Sequence, residues 1–525
     1  MIQMNGFRLT LLAAAAAASL VSVAARADDY TDLLEVLKAK GSLSNAEYDA
    51  LKAKHMRHVR VAGRRGGEVN YGPSDEGAAQ AQQAAMQAAQ SAAAAHQAMM
   101  DAQNEMQKAE AMMAEPDIVK AMPYKPGAGL TMKVGNVDIN VSGIVNAFYT
   151  YSSADSAIPA HAVGGGLTDA SGFDSSSVRN GLLPGAIIVS AATQQDGIDL
   201  TAVFGAYPGI DSTAVGALNA NNGGYATALG TAGVDFRKTY ITAGTPQFGT
   251  IKLGRDIGLF GQDAILNDQT LLGVGATGGN ADPGNTSLGR IGFGYIYTDF
   301  MPQITYISPV FAGFQGSVGV FQPLNEFDFS GYSQGVNGDP VGGNQHAAPM
   351  FQGRLTYDYK DPAWSAHLWA GFVTQTVDNI QLPDGGTDSK TAVGGEAGAT
   401  INVGPVGVTG YYYRARGLGT TALLFDGISP DGELRDSEGG YIQAMVKPTD
   451  KLKLIGSFGE SSLYLAPGEY DPDLVRRNES ETGGAYYSLT AWLTLVGEYT
   501  HTESKSHGPN DSSANSVSAG AILFY

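Results

Sequence analysis

Two-residue alternation of apolar and polar side chains, sustained from Leu130 to Tyr525, predicts an all-β transmembrane barrel of about sixteen antiparallel strands. Helix-forming composition ahead of residue 116 predicts that an α-helical N-terminal extension precedes it. Residues 1–27 have the layout of a secretory signal, and no later stretch is long and apolar enough to span a bilayer as a helix. An exported chain that meets a membrane must then cross it with strands, because only helices and closed barrels satisfy every backbone group in hydrocarbon.

In chain order, Arg8 opens the signal, Leu9 to Val23 form its apolar run, and Ala25-Arg26-Ala27 is an A-x-A cleavage site, so the mature chain is expected from Asp28. A helical hairpin is predicted over 28–65. Leu33, Leu34 and Leu37 repeat at helical spacing, Gly41 supplies a C-cap, and Ser44 with Glu47 makes a capping box for a second helix whose apolar face is Tyr48 and Leu51. Its basic end, from His55 and Arg57 to Arg64 and Arg65, reads as a solvated helix end or as a contact for an acidic surface such as the cell wall or lipopolysaccharide. Residues 76–115 are nearly all Ala, Gln and Met and should form one helix. Its thin apolar side, Ala with Met86, Met99 and Met106, suits a trimeric coiled coil between copies or packing on another surface. Pro116, Pro123 and Pro126 mark 116–129 as a linker, and the barrel is predicted over 130–525.

The first clear strand sets Val137, Ile139, Val141, Val145, Ala147 and Tyr149 against Asp138, Asn140, Ser142 and Asn146. Trp364, Leu368 and Phe372 later oppose Ser365 and His367, and Leu495 and Tyr499 oppose Thr494, Glu498 and Thr500. Leu452, Leu454 and Phe458 alternate with Lys451, Lys453 and Ser457, which suits lipid outside and water inside better than a dry core. Such runs are joined alternately by tight turns and by long loops rich in Gly, Asp, Asn and Ser, and around sixteen strands leave room for an aqueous channel.

The 70 Gly, 25 Tyr and 19 Phe suit strands with one apolar and one wet face. With no Cys, disulfides contribute nothing, and stability must come from burial and a closed hydrogen-bond network. Loss of the signal removes Arg8 and Arg26 and no acid, moving the formal charge from -19 to -21. So acidic a chain argues against a nucleic-acid partner, since phosphate contacts need clustered Lys and Arg. At the other end, Val517, Ala519, Ala521, Leu523 and Tyr525 alternate up to a terminal aromatic residue.

Two internal stretches resemble the general porins of Gram-negative bacteria. Arg237-Lys238-x-Tyr240 is followed by Phe248-Gly249-Thr250-x-x-Leu253-Gly254-Arg255, similar to R-x-x-Y…F-G-T-x-x-L-G-R, and Tyr306-x-Ser308-Pro309-x-Phe311-x-Gly313-Phe314 resembles Y-x-S-P-x-F-x-G-F. Leu523 and Tyr525 match the family's C-terminal signature, by which the barrel-assembly machinery recognises its clients, although porins usually end in Phe. The resemblance covers about residues 130–525 and leaves the N-terminal helices outside it. The LLxxLxxKGxLxxxEYxxLK pattern there is similar to a short helical segment at the start of some porin-like chains.

The resemblance implies a homotrimer in the outer membrane, among lipid and lipopolysaccharide, with the N-terminal helices in the periplasm within reach of peptidoglycan. It also implies a passive channel for small hydrophilic solutes, or one selective for anions, sugars or organic acids. Each pore would be narrowed by an inward-folded third loop, here about Gly258 to Leu288. That loop carries Asp263, Asp268 and Asp282, and Arg237, Arg255 and Arg290 flank it, so loop carboxylates facing wall arginines would set a transverse field at the constriction. Strict alternation conflicts with one of these. It sends Arg255 to the face of Leu253 and Ile251, unless Gly254 bulges or that strand faces another subunit.

Catalytic chemistry is not expected, nor a cofactor or a metal. Gly331-Tyr332-Ser333-Gln334-Gly335 fits G-x-S-x-G but sits in a Gly-rich loop without the strand-turn-helix that a nucleophile elbow needs. The His residues never fall at metal-ligand spacing, and no phosphate-binding glycine motif occurs. Asp426, Asp431, Glu433, Asp436 and Glu438 form an acidic loop that reads as solvated rather than as a Ca²⁺ site or a divalent bridge to lipopolysaccharide. A barrel enzyme and a cell-wall tether are the readings from other classes.

Overall fold

The computed structural model describes residues 119–122, 128–155, 163–210, 234–330 and 346–525, together with Tyr48, Asp49, Lys52 and Met100, which are helical. The signal, most of the hairpin and of the Ala-rich helix, most of the linker and the Gly331–Gly335 segment lie outside the described residues. Short strands β1 (Val119–Ala121) and β2 (Leu130–Val134) precede β3 (Val137–Ala154), β4 (Ser175–Arg179), β5 (Ala186–Gln195), β6 (Ile198–Pro208), β7 (Val234–Thr245) and β8 (Gly249–Ile257). After the short helix α1 (Gln262–Leu266) come β9 (Phe300–Ile307), β10 (Phe314–Phe321), β11 (Met350–Lys360), β12 (Trp364–Gln381) and β13 (Thr387–Val403). The series ends with β14 (Val406–Arg416), β15 (Asp436–Val446), β16 (Leu452–Leu463), β17 (Val475–Ser488), β18 (Leu493–Ser506) and β19 (Asp511–Phe524).

Each strand pairs antiparallel with its neighbour, and β19 returns to β3 from Ala514 opposite Ala154 to Phe524 opposite Ile144. Among the described residues, β3 and β5 to β19 thereby close a 16-strand barrel, which leaves the wall no free edge. The short strands cluster at this seam. β2 pairs with Val137–Val141 on the edge that β19 takes from Ile144 onward, and β4 pairs with Phe148–Ser152 on the edge that β5 holds below.

Alternation sorts the side chains. On β3, Val145, Tyr149 and Tyr151 are exposed on the outer face, while Asn146, Phe148, Thr150 and Ser152 are buried inside. Trp364, Leu368 and Phe372 of β12 and Leu495 and Tyr499 of β18 continue the apolar outer rows. One end of the barrel has tight turns. Asp196 (φ 50°) and Gly197 (φ 81°) alone join β5 to β6, the two positive φ values of a type I′ hairpin turn. The other end carries long connections, among them 258–299 and 417–435.

The lumen is partly filled by the chain itself. Against the inner faces of β11 to β15 lies an apolar core in which Trp369, Val373, Tyr411 and Tyr413 of the wall meet Phe260, Ile265, Ile291 and Ile296 of 258–299 and Leu418, Leu423, Leu424 and Ile428 of 417–435. These wall positions are inward and apolar, so the long loops fold over them instead of standing in solvent. Each such side chain removed from water contributes roughly 1.5–3 kcal/mol.

Candidate functional site at the inward loop

The chain leaves β8 at Ile257 and runs through the barrel interior before re-entering the wall at Phe300. A mostly irregular segment packed indoors exposes backbone N–H groups that must find acceptors. The inner wall supplies them in sequence. Gln352 Oε1 on β11 accepts from the Leu259 and Phe260 amides at 2.6 and 2.9 Å. Glu396 Oε2 on β13 accepts from Gly261 at 2.9 Å, Gln443 Oε1 on β15 from Gln269 at 3.0 Å, and Glu498 Oε2 on β18 from Val274 at 2.8 Å and Gly275 at 3.3 Å. Tyr411 donates to Glu396 at 2.7 Å, and Tyr486 donates to Glu498, so each glutamate is steadied by a tyrosine of the adjacent strand. Arg179, buried at the end of β4, donates to Gly279 O at 2.7 Å and Thr286 O at 2.8 Å on the returning arm.

The loop acids face the wall behind them. Asp263 in α1 accepts from Arg354 Nη2 at 2.8 Å, pairs with its Nε as well, and bonds His367 Nε2 at 3.1 Å; His367 Nδ1 bonds Asp358 at 2.8 Å. Burial alone would raise the Asp263 carboxyl, but the hydrogen bonds from His367 and Arg354 outweigh it and hold the group below its ordinary range. Asp268 is buried 3.8 Å from the buried Arg290, and it accepts from the amide and hydroxyl of Thr270 at 2.9 and 2.8 Å. Asp282 is exposed on the returning arm. What α1 presents to the lumen is instead Leu266, 55% exposed.

The flanking arginines part company. Arg290 is brought to Asp268, and its Nη2 bonds Ser457. Arg237 pairs with Asp235 at 2.5 Å and lies over the Tyr207 and Phe300 rings. Arg255 meets none of the loop acids: it stands opposite Thr239 and Pro302, in the outer row of Ile251, Leu253 and Ile304. Gly254 takes φ 126°, and a Cβ there would come within 2.4 Å of Thr239 O. Alternation nevertheless continues across it, since Lys252 and Asp256 pair on the inner side.

The motif residues build turns. Phe248 is 80% exposed in the β7–β8 turn, where its carbonyl accepts the Tyr306 hydroxyl at 3.0 Å. At Gly249 (φ 80°) a Cβ would lie 2.3 Å from Ile307 O, which locks this turn beside the next. There Ser308 donates to Pro309 O at 2.9 Å, Phe311 (81% exposed) and Phe314 exchange backbone bonds at 2.9 Å, and Gly313 takes φ 89°. At the seam, Tyr525 and Gly143 exchange backbone bonds at 3.0 and 3.1 Å, and Leu523 pairs with Val145.

The second long loop is tied down too. Buried Asp426 accepts from the amide and hydroxyl of Ser330, both at 2.9 Å, and burial pushes its carboxyl up to about 6. Tyr297 N donates to Thr421 O at 2.9 Å, joining 417–435 to the first loop.

Sequence reasoning places Glu498 and His367 on the wet face but misses their task, and it misses Gln352, Glu396, Gln443 and Arg354 altogether. Inward position is the one signal the sequence carries for them. A side chain that reaches a loop 224 residues away, as Glu498 does at Val274, leaves no local trace.

A closed antiparallel ring with apolar outer rows, short turns at one end and a long loop fastened within its lumen is an outer-membrane β-barrel channel. The Gram-negative porin family matches residues 79–507, and the chain belongs to that family, whose role is passive passage of hydrophilic solutes. Among solved structures, the outer membrane channel DcaP of Acinetobacter baumannii superposes with a TM-score of 0.54 at 15% identity, over 76% of this chain and 100% of that one. The anion-selective porin from Comamonas acidovorans gives 0.48 at 14% identity over 74% and 100%, and Salmonella typhi OmpF in complex with daunomycin gives 0.45 at 11% over 77% and 100%. At such identities the likeness is one of fold. No curated protein matches the chain.

Proposed function

We propose that the chain works as a homotrimer in the outer membrane, each copy a passive channel whose width is set by residues 258–299, with the N-terminal helices on the periplasmic side. The observation that carries this reading is the fastening of that loop by Gln352, Glu396, Gln443 and Glu498, which holds a constriction in place without closing the wall. The constriction then consists of α1 and the residues after it, with Asp263, Asp268 and Arg290 as internal struts. Arg237 braces the mouth beside the loop, Arg255 faces outward toward lipid or another copy, and Asp282 reaches solvent. Leu523 and Tyr525 serve as the assembly signal. Single-channel recording of refolded protein in a planar bilayer tests the reading. Stable steps that close in threes support it, and a folded, heat-modifiable barrel that conducts nothing refutes it. A tether to peptidoglycan through residues 28–115 is a separate role. Unchanged cell-wall co-sedimentation after their deletion removes it.

A further inference from the structure

Two of the three loop acids on which a cation preference would depend are spent inside the fold, Asp263 on Arg354 and His367 and Asp268 on Arg290, while the third, Asp282, is exposed on the returning arm. Wall lysines also face the lumen, in which the inward Glu396 and Glu498 are engaged by loop amides and tyrosines. On one wall, inward Lys252 of β8 and Lys238 of β7 share a single carboxylate, Asp256, Lys252 in direct contact and Lys238 at 3.9 Å. On the opposite wall stands Lys453 of β16, with as many strands separating it from β8 one way round the ring as the other. Lys453 Nζ lies 4.5 Å from the centre of the Tyr486 ring and 3.4 Å from Gln269 O and Oε1, and among the described residues no carboxylate lies within 4.0 Å of it. Its ammonium therefore sits at the edge of the inward loop with neutral groups as its contacts, while Asp268 and Glu498 act on it from beyond 4.0 Å. A partly hydrated cation in a narrow aqueous path attracts mobile anions and repels mobile cations along its length.

We propose that this channel prefers small anions, and that Lys453, together with Lys252 and Lys238 across the lumen, is the specificity-determining set. The proposal rests on the channel reading above and adds the class of solute to it. The test is the reversal potential of single channels under a KCl gradient, for the wild-type chain, Lys453→Gln, Lys453→Glu and Lys252→Gln, each first shown to be folded by heat-modifiable migration. Lys453→Gln removes the charge but keeps a polar N–H donor, and so covers the case in which Lys453→Glu does not fold. Wild type should favour chloride. Lys453→Gln should lower the chloride-to-potassium permeability ratio about threefold, the order expected for one screened unit charge a few ångströms from the ion path. Lys453→Glu should lower it further. Potassium preference in the wild type, or conducting Lys453 variants with an unchanged ratio, overturns this proposal alone. A folded protein that conducts nothing overturns the channel reading and this one with it.

Discussion

Replacing Glu498 by Leu isolates what one wall acceptor does for the constriction. In the wild type Oε2 takes the Val274 and Gly275 amides at 2.8 and 3.3 Å, and the Tyr486 hydroxyl donates to the same carboxylate. Leucine leaves two buried backbone donors and a phenol without an acceptor, at about 1–3 kcal/mol each, so roughly 3–9 kcal/mol in total. The ring itself does not depend on these bonds, because β18 keeps its ladders to β17 and β19. The cost should therefore appear as release of residues around 270–277, while Gln352, Glu396 and Gln443 still hold the earlier part of the loop. Recorded in a bilayer, Glu498→Leu should give larger and noisier single-channel currents with unchanged heat-modifiable migration. Glu498→Gln, which keeps a carbonyl acceptor, should stay near wild type. If the Leu variant conducts with wild-type amplitude and noise, the wall acceptors do not set the constriction.

Further substitutions at three places probe other parts of the fold. A Cβ at Gly143 would fall 2.3 Å from the Tyr525 ring, so Gly143→Ala should sharply reduce the fraction of chains that reach the heat-modifiable form. Arg290→Met leaves Asp268 buried without its cation and should cost about 3–5 kcal/mol, read as a lower temperature for loss of the folded band; Asp268→Leu added to it should recover part of the loss. Asp426 titrates near 6 when folded and near 3.8 when unfolded, so its ionised form is the disfavoured one. Loop packing should then gain roughly 3 kcal/mol as pH falls from above 6 to below 4, lost again as pH rises, and Asp426→Asn should flatten that dependence of the melting temperature.

The barrel was legible because its physics is local. An outward row facing lipid and an inward row facing something else impose a period of two on each strand, and the runs around Val145, Leu368 and Leu495 show it without any tertiary knowledge. The site was less legible because its bonds are not local. Asp263 meets Arg354 across 91 residues of chain, and nothing near either residue announces the other. Arg255 is instructive in the opposite sense, since it lies in the outer row to which plain alternation assigns it, whereas motif resemblance points toward the pore. The dry core over β11 to β15 was hidden because Trp369, Val373, Tyr411 and Tyr413 are apolar on the inner face, and a strand apolar on both faces does not say what covers it.

The order in which the loop's anchors occur along the chain has a consequence in time. Leu259 waits for Gln352, Gly261 for Glu396, Gln269 for Gln443 and Val274 for Glu498, sequence separations of 93, 135, 174 and 224 residues. Contacts so distant form late, because the intervening chain must first be brought together. By the same measure the hoop closes last, since Thr150 and Ser518 meet at its seam across 368 residues. The throat is laced from the β11 side toward β18 as each acceptor arrives, and the seam seals a pore that is already narrowed.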